Sequence, residues 1–192
     1  MFEAMSTYRL SKILLILAVA AIGALKAGGG WNELQTALGL QGEATTDHGT
    51  VTKATDGDTL KVRLDSGEEV SVRLIGIDSP ETVHPDIPSP ECGGPEASAL
   101  MRRLAEGRRV RLESDPTQDA IDRYGRTLAY VTVEGDRLTL QERLLAAGYA
   151  ETYIYGSTPF SRVDRFEDAE HEASVGGRGV WKSSGGDFHS AS

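Results

Sequence analysis

The chain has 192 residues, 39% of them hydrophobic and 26% charged, which suits one soluble domain plus an appendage and excludes a fibrous or wholly disordered polymer. Its formal net charge of -9 excludes a protein that grips nucleic acid through a broad basic surface; a polyanionic ligand must be met by a local cluster of arginines or lysines. The single cysteine, Cys92, excludes an intrachain disulfide and is expected to act as a small hydrophobe beneath a loop.

In chain order, the first predicted element is the stretch "STYRLSKILLILAVAAIGALKAGGG", where Arg9 and Lys12 precede the apolar run Ile13 to Leu25. This is the layout of a secretory signal over residues 1–27. The run is shorter than the roughly 20 residues of a spanning helix, and a tilted membrane anchor through residues 13–25 or a buried core helix are the other readings. A secreted or cell-envelope location is therefore expected. Residues 28–48 are small, polar and weakly periodic, as a linker would be.

A folded domain is expected over 49–182. Three alternating apolar and polar runs, near 50–55, 59–64 and 69–77, are punctuated by Asp56-Gly57 and Ser66-Gly67, so they predict a three-stranded antiparallel meander. A Pro- and Gly-rich loop follows. In "GPEASALMRRLAEG" the residues Ala97, Leu100, Met101 and Leu104 share one helical face, with Pro95 in the first turn and Gly107 beyond the end. "RRVRLES" and "GRTLAYVTVEGD" predict two more strands, "RLTLQERLLAAG" a second helix closed by Gly148, "YAETYIY" a short extended piece, and "FSRVDRFEDAEHEAS" a third helix with Val163, Phe166 and Ala173 inward. Five short strands with interspersed helices and no parallel βαβ rhythm imply a small Greek-key barrel in an α+β domain. Residues 183–192 are expected to be a flexible tail.

Asp58 follows the first hairpin turn and Asp78 the third run. Two carboxylates brought to one barrel rim would suit a hard cation, which prefers oxygen ligands; an Asp that merely caps its own turn is the plainer reading of "DGDT". Glu81 is held just past the strand by Pro80 and either serves as a general base or is a surface residue on a turn. Arg73 and Arg126 are either solvated or aimed at one phosphoryl group, where a lost donor can cost on the order of 10²-fold or more in rate. Tyr124, Tyr153 and Tyr155 are either half-buried packing residues or flat faces for bases. His48, His84, His171 and His189 have no metal-ligand spacing, and Ser79 has no histidine base beside it.

In this order and spacing, "DGDT", "RLIGIDSPET", "GPEASALMRRL" and "DRYGRTLAYV" resemble the staphylococcal nuclease family, over about Thr50 to Trp181. The resemblance implies a five-stranded OB-fold barrel with three helices. It also implies Ca²⁺-dependent hydrolysis of DNA and RNA, leaving 3′-phosphates; a monomer is expected. Carried over by position, Asp58 and Asp78 would bind Ca²⁺ through carboxylates and Ser79 through its backbone carbonyl. Glu81 would be the general base, and Arg73 and Arg126 would clamp the phosphate, Arg126 nearest the leaving oxygen. Arg123, Tyr124, Tyr153 and Tyr155 would contact the nucleotide. Ser79 departs from the family's common threonine, and the acidic balance departs from its basic members. The rival reading is a noncatalytic OB module, a use in which relatives lose the acidic ligands or the arginines; here all of them are present.

Overall fold

The computed structural model describes residues 44–82 and 89–190. Its strands are β1 (Thr46–Ala54), β2 (Thr59–Leu64), β3 (Glu69–Leu74), β4 (Ile77–Asp78), β5 (Arg109–Glu113), β6 (Thr127–Val133) and β7 (Glu151–Thr152). Its helices are α1 (Gly94–Ala105), α2 (Leu140–Ala147), α3 (Val163–Val175) and the one-turn α4 (Val180–Ser183). Five strands close into a barrel in the order β1-β2-β3-β6-β5, while β4 and β7 form a separate two-stranded ladder. The α+β barrel with three main helices is the architecture the sequence predicts.

Alternation drives the closure. Val51, Leu60, Val62, Val72, Leu74, Val110 and Leu112 point inward and are buried, and their polar neighbours face out, as a period-two pattern requires. Helix α1 adds Leu100 and Met101 to this core, α2 adds Leu140, Leu144 and Leu145, and α3 adds Phe166. The start of α2 is set by a capping box: Thr139 Oγ accepts from the Glu142 N–H while the Glu142 carboxylate accepts from the Thr139 N–H.

Two registers position the site. In the β2–β3 ladder Thr59 lies opposite Arg73, which sets Asp58 beside that arginine. The β3–β6 pair is parallel, with Val72 opposite Thr127 and Arg73 opposite Leu128, so Arg126 arrives at the same rim from the far half of the domain.

Three expectations need correction. The expected linker over 28–48 reaches too far, because Thr46, Asp47 and His48 already pair with Glu113, Leu112 and Arg111 of β5. The third run is not one strand: β3 ends at Leu74, and Gly76, at φ +79, turns the chain so that Ile77 and Asp78 pair with Thr152 and Glu151 instead. A Cβ at Gly76 would also lie 2.6 Å from the Phe160 ring, so only glycine makes this turn without displacing the aromatic. The expected flexible tail over 183–192 is packed as far as residue 190: Phe188 is buried, edge-on to Trp181 at 5.3 Å, and Ser190 O accepts from the Cys92 N–H at 2.8 Å. The expected export segment lies outside the described residues.

Candidate active site

The "DGDT" turn is built by Asp56, whose Oδ1 accepts from the N–H groups of Asp58 at 3.0 Å and Thr59 at 2.7 Å. That self-capping was the plain reading of an aspartate here, and it falls to Asp56, leaving Asp58 to face inward. Asp58 is only 3% exposed. Its Oδ2 accepts from the Ser79 N–H at 3.0 Å and the Ser79 hydroxyl at 3.1 Å, and its Oδ1 from the Thr59 hydroxyl at 3.2 Å.

Arg73 lies between the two predicted ligand aspartates. Its Nη1 pairs with Asp58 Oδ1, and its Nη2 donates to Asp78 Oδ1 at 2.9 Å and to the Ile77 carbonyl at 3.2 Å. A carboxylate as buried as Asp58 is tolerated only with such a partner. Asp58, Asp78, Ser79 and Arg73 are thus brought together as the sequence reading requires, although Arg73 binds carboxylates as well as facing the cleft.

Glu81 is fixed through its backbone. Its N–H donates to Glu91 Oε2 at 2.6 Å, and its carbonyl accepts from the Glu91 N–H at 2.9 Å. Burial, then the like charges of Asp56, Asp78 and Glu91, push the Glu81 carboxyl above its ordinary pKa, with Arg73 opposing them. Burial likewise raises Asp56, against the N–H of Thr59 and the charges of Arg73 and Arg126. Among the described residues no three acidic, histidine or cysteine side chains form a closed metal cage. What gathers is an open set of two carboxylates, bridged by Arg73, with Ser79 held against one of them and more negative charge around it. That chemistry fits a hard divalent cation that keeps water or phosphate among its ligands.

Arg73 and Asp78 also line a cavity of about 350 Å³, together with Tyr124, Arg126, Tyr153 and Tyr155, among others. Arg126 is pinned from behind: its backbone N–H and its Nε donate to Asp122 at 2.9 and 2.7 Å, and its Nη1 reaches the Thr59 hydroxyl at 3.5 Å. Burial pushes Asp122 up, but these bonds from Arg126 and one from the Tyr124 N–H outweigh it and leave the carboxyl below its ordinary pKa. Tyr124 carries the guanidiniums of Arg123 and Arg126 against its ring, at 4.8 and 5.3 Å. Tyr124 and Tyr155 are 68% and 66% exposed, too open to be core residues, and both line the cavity. Tyr153 is partly covered and its N–H donates to the Gly76 carbonyl at 3.0 Å.

Four residues at this rim escape sequence reasoning. Asp56 and Asp122 had a usable signal, since an Asp that opens a Gly-containing turn caps its neighbours. Glu91 and His189 had none. His189 stands 3.3 Å from both Glu91 oxygens and, through Nε2, 3.3 Å from Glu151 and 4.0 Å from Asp78. Burial opposes a proton on its ring, but Glu91, Asp78 and Glu151 outweigh that and raise its pKa.

Carboxylates, two arginines and three tyrosines around one cavity on an OB-type barrel suit the class of barrel enzymes that cleave phosphodiesters. The family model described as Staphylococcal nuclease homologue matches residues 71–183, and the chain belongs to that family and is a nuclease. It is 37% identical over 131 residues to the thermonuclease of Staphylococcus hyicus, covering 68% of this chain and 73% of that protein. The thermonuclease of Staphylococcus intermedius is 37% identical over 132 residues, 69% of this chain and 74% of its own. Endonuclease YncB of Bacillus subtilis is 36% identical over 137 residues, 71% of this chain and 62% of its own length.

Proposed function

We propose that this nuclease hydrolyses phosphodiester bonds of both DNA and RNA with Ca²⁺ as its cofactor, and that it acts outside the cytoplasm. The observation that carries the reading is the pair of registers, β2 against β3 and β3 against β6, that gathers Asp58, Arg73 and Arg126 at one rim beside Asp78 and Glu81. In this reading Asp58 and Asp78 hold Ca²⁺ through their carboxylates and Ser79 through its carbonyl. Bound there, the cation supplies Lewis-acid polarisation of the phosphoryl group. Glu81 takes the proton from the attacking water. The Glu91 clasp fixes where its backbone stands.

Arg126 stabilises the charge that develops on the phosphoryl oxygens. Asp122 occupies its Nε, and among the described residues nothing accepts from its Nη2, so that donor is turned toward substrate. Arg73 adds positive charge from the lining of the same cavity. Arg123 completes the local basic cluster that a chain of net charge -9 needs to hold a polyanion. Tyr124 and Tyr155 offer stacking faces, with Tyr153 alongside, and stacking accepts any base because every base has a π-face.

The export part of the proposal rests on the basic residues and apolar run of residues 9–25. Among the described residues no helix is long and apolar enough to cross a membrane. Initial-rate digestion of single-stranded DNA and of RNA, with Ca²⁺ and with chelator, tests the chemistry. Cleavage of both substrates that disappears in chelator is expected; equal cleavage in chelator overturns the Ca²⁺ assignment. Fractionation of cells carrying the full chain tests location, and a purely cytosolic product overturns export.

A further inference from the structure

The C-terminal segment does more than finish the chain. Phe188 is 2% exposed and locked against Trp181, Ser190 O takes the Cys92 N–H at 2.8 Å, and between these two anchors the imidazole of His189 enters a group of three carboxylates. One of the three, Glu91, is 5% exposed and is the group that accepts the Glu81 N–H at 2.6 Å. The other two are Glu151 and Asp78, which are neighbours in the β4–β7 ladder. The contacts therefore run without a gap from His189 to Glu91 to Glu81. The segment around Glu91 also sits hard against the Glu81 turn: a Cβ at Gly94 would lie 2.5 Å from the Glu81 carbonyl oxygen.

We propose that the segment 186–190 is a wall of the active site and that His189 and Glu91 are positioning residues, which hold the Glu81 turn at the place from which its carboxylate works. The proposal rests on the reading of Glu81 as general base. Its physical content is a matter of alternatives. With the imidazole present, both Glu91 oxygens have a ring nitrogen within 3.3 Å and the carboxylate stays over the Glu81 N–H. Without it, Glu91 is left near the like charges of Glu151 and Asp78 and is better solvated by turning outward. That releases the side-chain half of the clasp and leaves the Glu81 turn held by the Glu91 N–H alone. Asp58 and Arg73 are held by their own partners and stay in place, so substrate binding should survive while the chemical step suffers.

The test uses the full chain with Ca²⁺ and single-stranded DNA, and compares His189→Ala, His189→Gln, Glu81→Gln and the double variant His189→Ala/Glu81→Gln. A displacement of about 1 Å can cost about 10²-fold, so a partial release in His189→Ala should lower kcat by about 10-fold, with KM within about two-fold and an unchanged melting temperature. The glutamine variant, whose amide can still donate to Glu91, should recover most of the loss. In the Glu81→Gln background His189→Ala should cost nothing further, because residues that act through one another are not additive. A kcat for His189→Ala within about two-fold of wild type, a change in KM alone, or a loss that glutamine does not repair overturns the positioning role. Undiminished kcat in Glu81→Gln is a different failure, since it overturns the base assignment and this proposal together.

Discussion

Glu81 and Asp115 are carboxylates that each follow a strand, yet their surroundings treat them in opposite ways. Asp115, just past β5, is met by five donors: the hydroxyls of Tyr130, Thr117 and Ser161 and the N–H groups of Thr117 and Ser161. Burial pushes its carboxyl up, but those bonds outweigh burial and leave it below the ordinary range. Burial and the bond to Asp115 in turn push the Tyr130 phenol well above its usual value. Glu81, beyond β4, stands among Asp56, Asp78 and Glu91, and burial with those like charges raises it. The first is a carboxylate fully used to tie β5, β6 and the approach to α3 together. The second is met by like charges instead of donors, a setting that suits the general-base role proposed for it.

Removing Glu81's charge should have the largest effect and should separate the two roles. A general base contributes about 10² to 10⁴ in rate, so Glu81→Gln is expected to lower kcat by about 10³-fold. Its melting temperature should be unchanged or higher, because the substitution removes a charge from a crowd of like charges. Activity assays beside thermal unfolding check this, and a variant that loses stability along with rate would break the contrast. Next in size is Arg126→Ala, for which about a 10²-fold loss in kcat is expected from one missing donor to the phosphoryl group. Arg126→Lys should recover little of it, since a lysine keeps the charge but cannot bond Asp122 and the phosphate at once as a guanidinium does.

The contrast also marks what could be read from the sequence. The alternating runs and the Asp-Gly and Ser-Gly turns carried the meander, and the spacing of the family motif carried Asp58, Arg73, Asp78, Ser79, Glu81 and Arg126 but not Asp56, Glu91, Asp122 or His189 beside them. Both are local signals. The parallel β3–β6 pair, which brings Arg126 to Arg73, has no signature in either strand's own pattern. The break after Leu74 turns at Gly76, where the Phe160 ring leaves no room for a side chain, a neighbour invisible from "RLIGID" itself. Thr46 to His48 are exposed and polar at every position, so the start of β1 has no alternation to betray it. The tail's serines and glycines look flexible by composition, but one buried residue, Phe188, is enough to dock it, and with it His189, whose partner Glu91 is 98 residues away.

The smallest of the expected effects concerns Asp115 and bears on stability alone. Asp115→Asn keeps the shape but replaces an acceptor-only group with one that also brings an N–H₂ among donors, so a loss of about 2–3 kcal/mol in unfolding free energy at pH 7 is expected, with kcat unchanged. The pH dependence of that gap follows from the direction of the shift. A carboxyl whose folded pKa is depressed contributes stability that is complete above its unfolded value, near pH 3.9, and is lost as pH falls through the lower folded value. Wild type and Asp115→Asn should therefore differ by a constant amount above about pH 5 and converge below about pH 4, since the protonated acid then resembles the amide. Denaturant unfolding across that range measures the difference directly. Curves that stay parallel down to pH 3 would mean that Asp115 titrates alike in the folded and unfolded chain, and the opposition between it and Glu81 would fall.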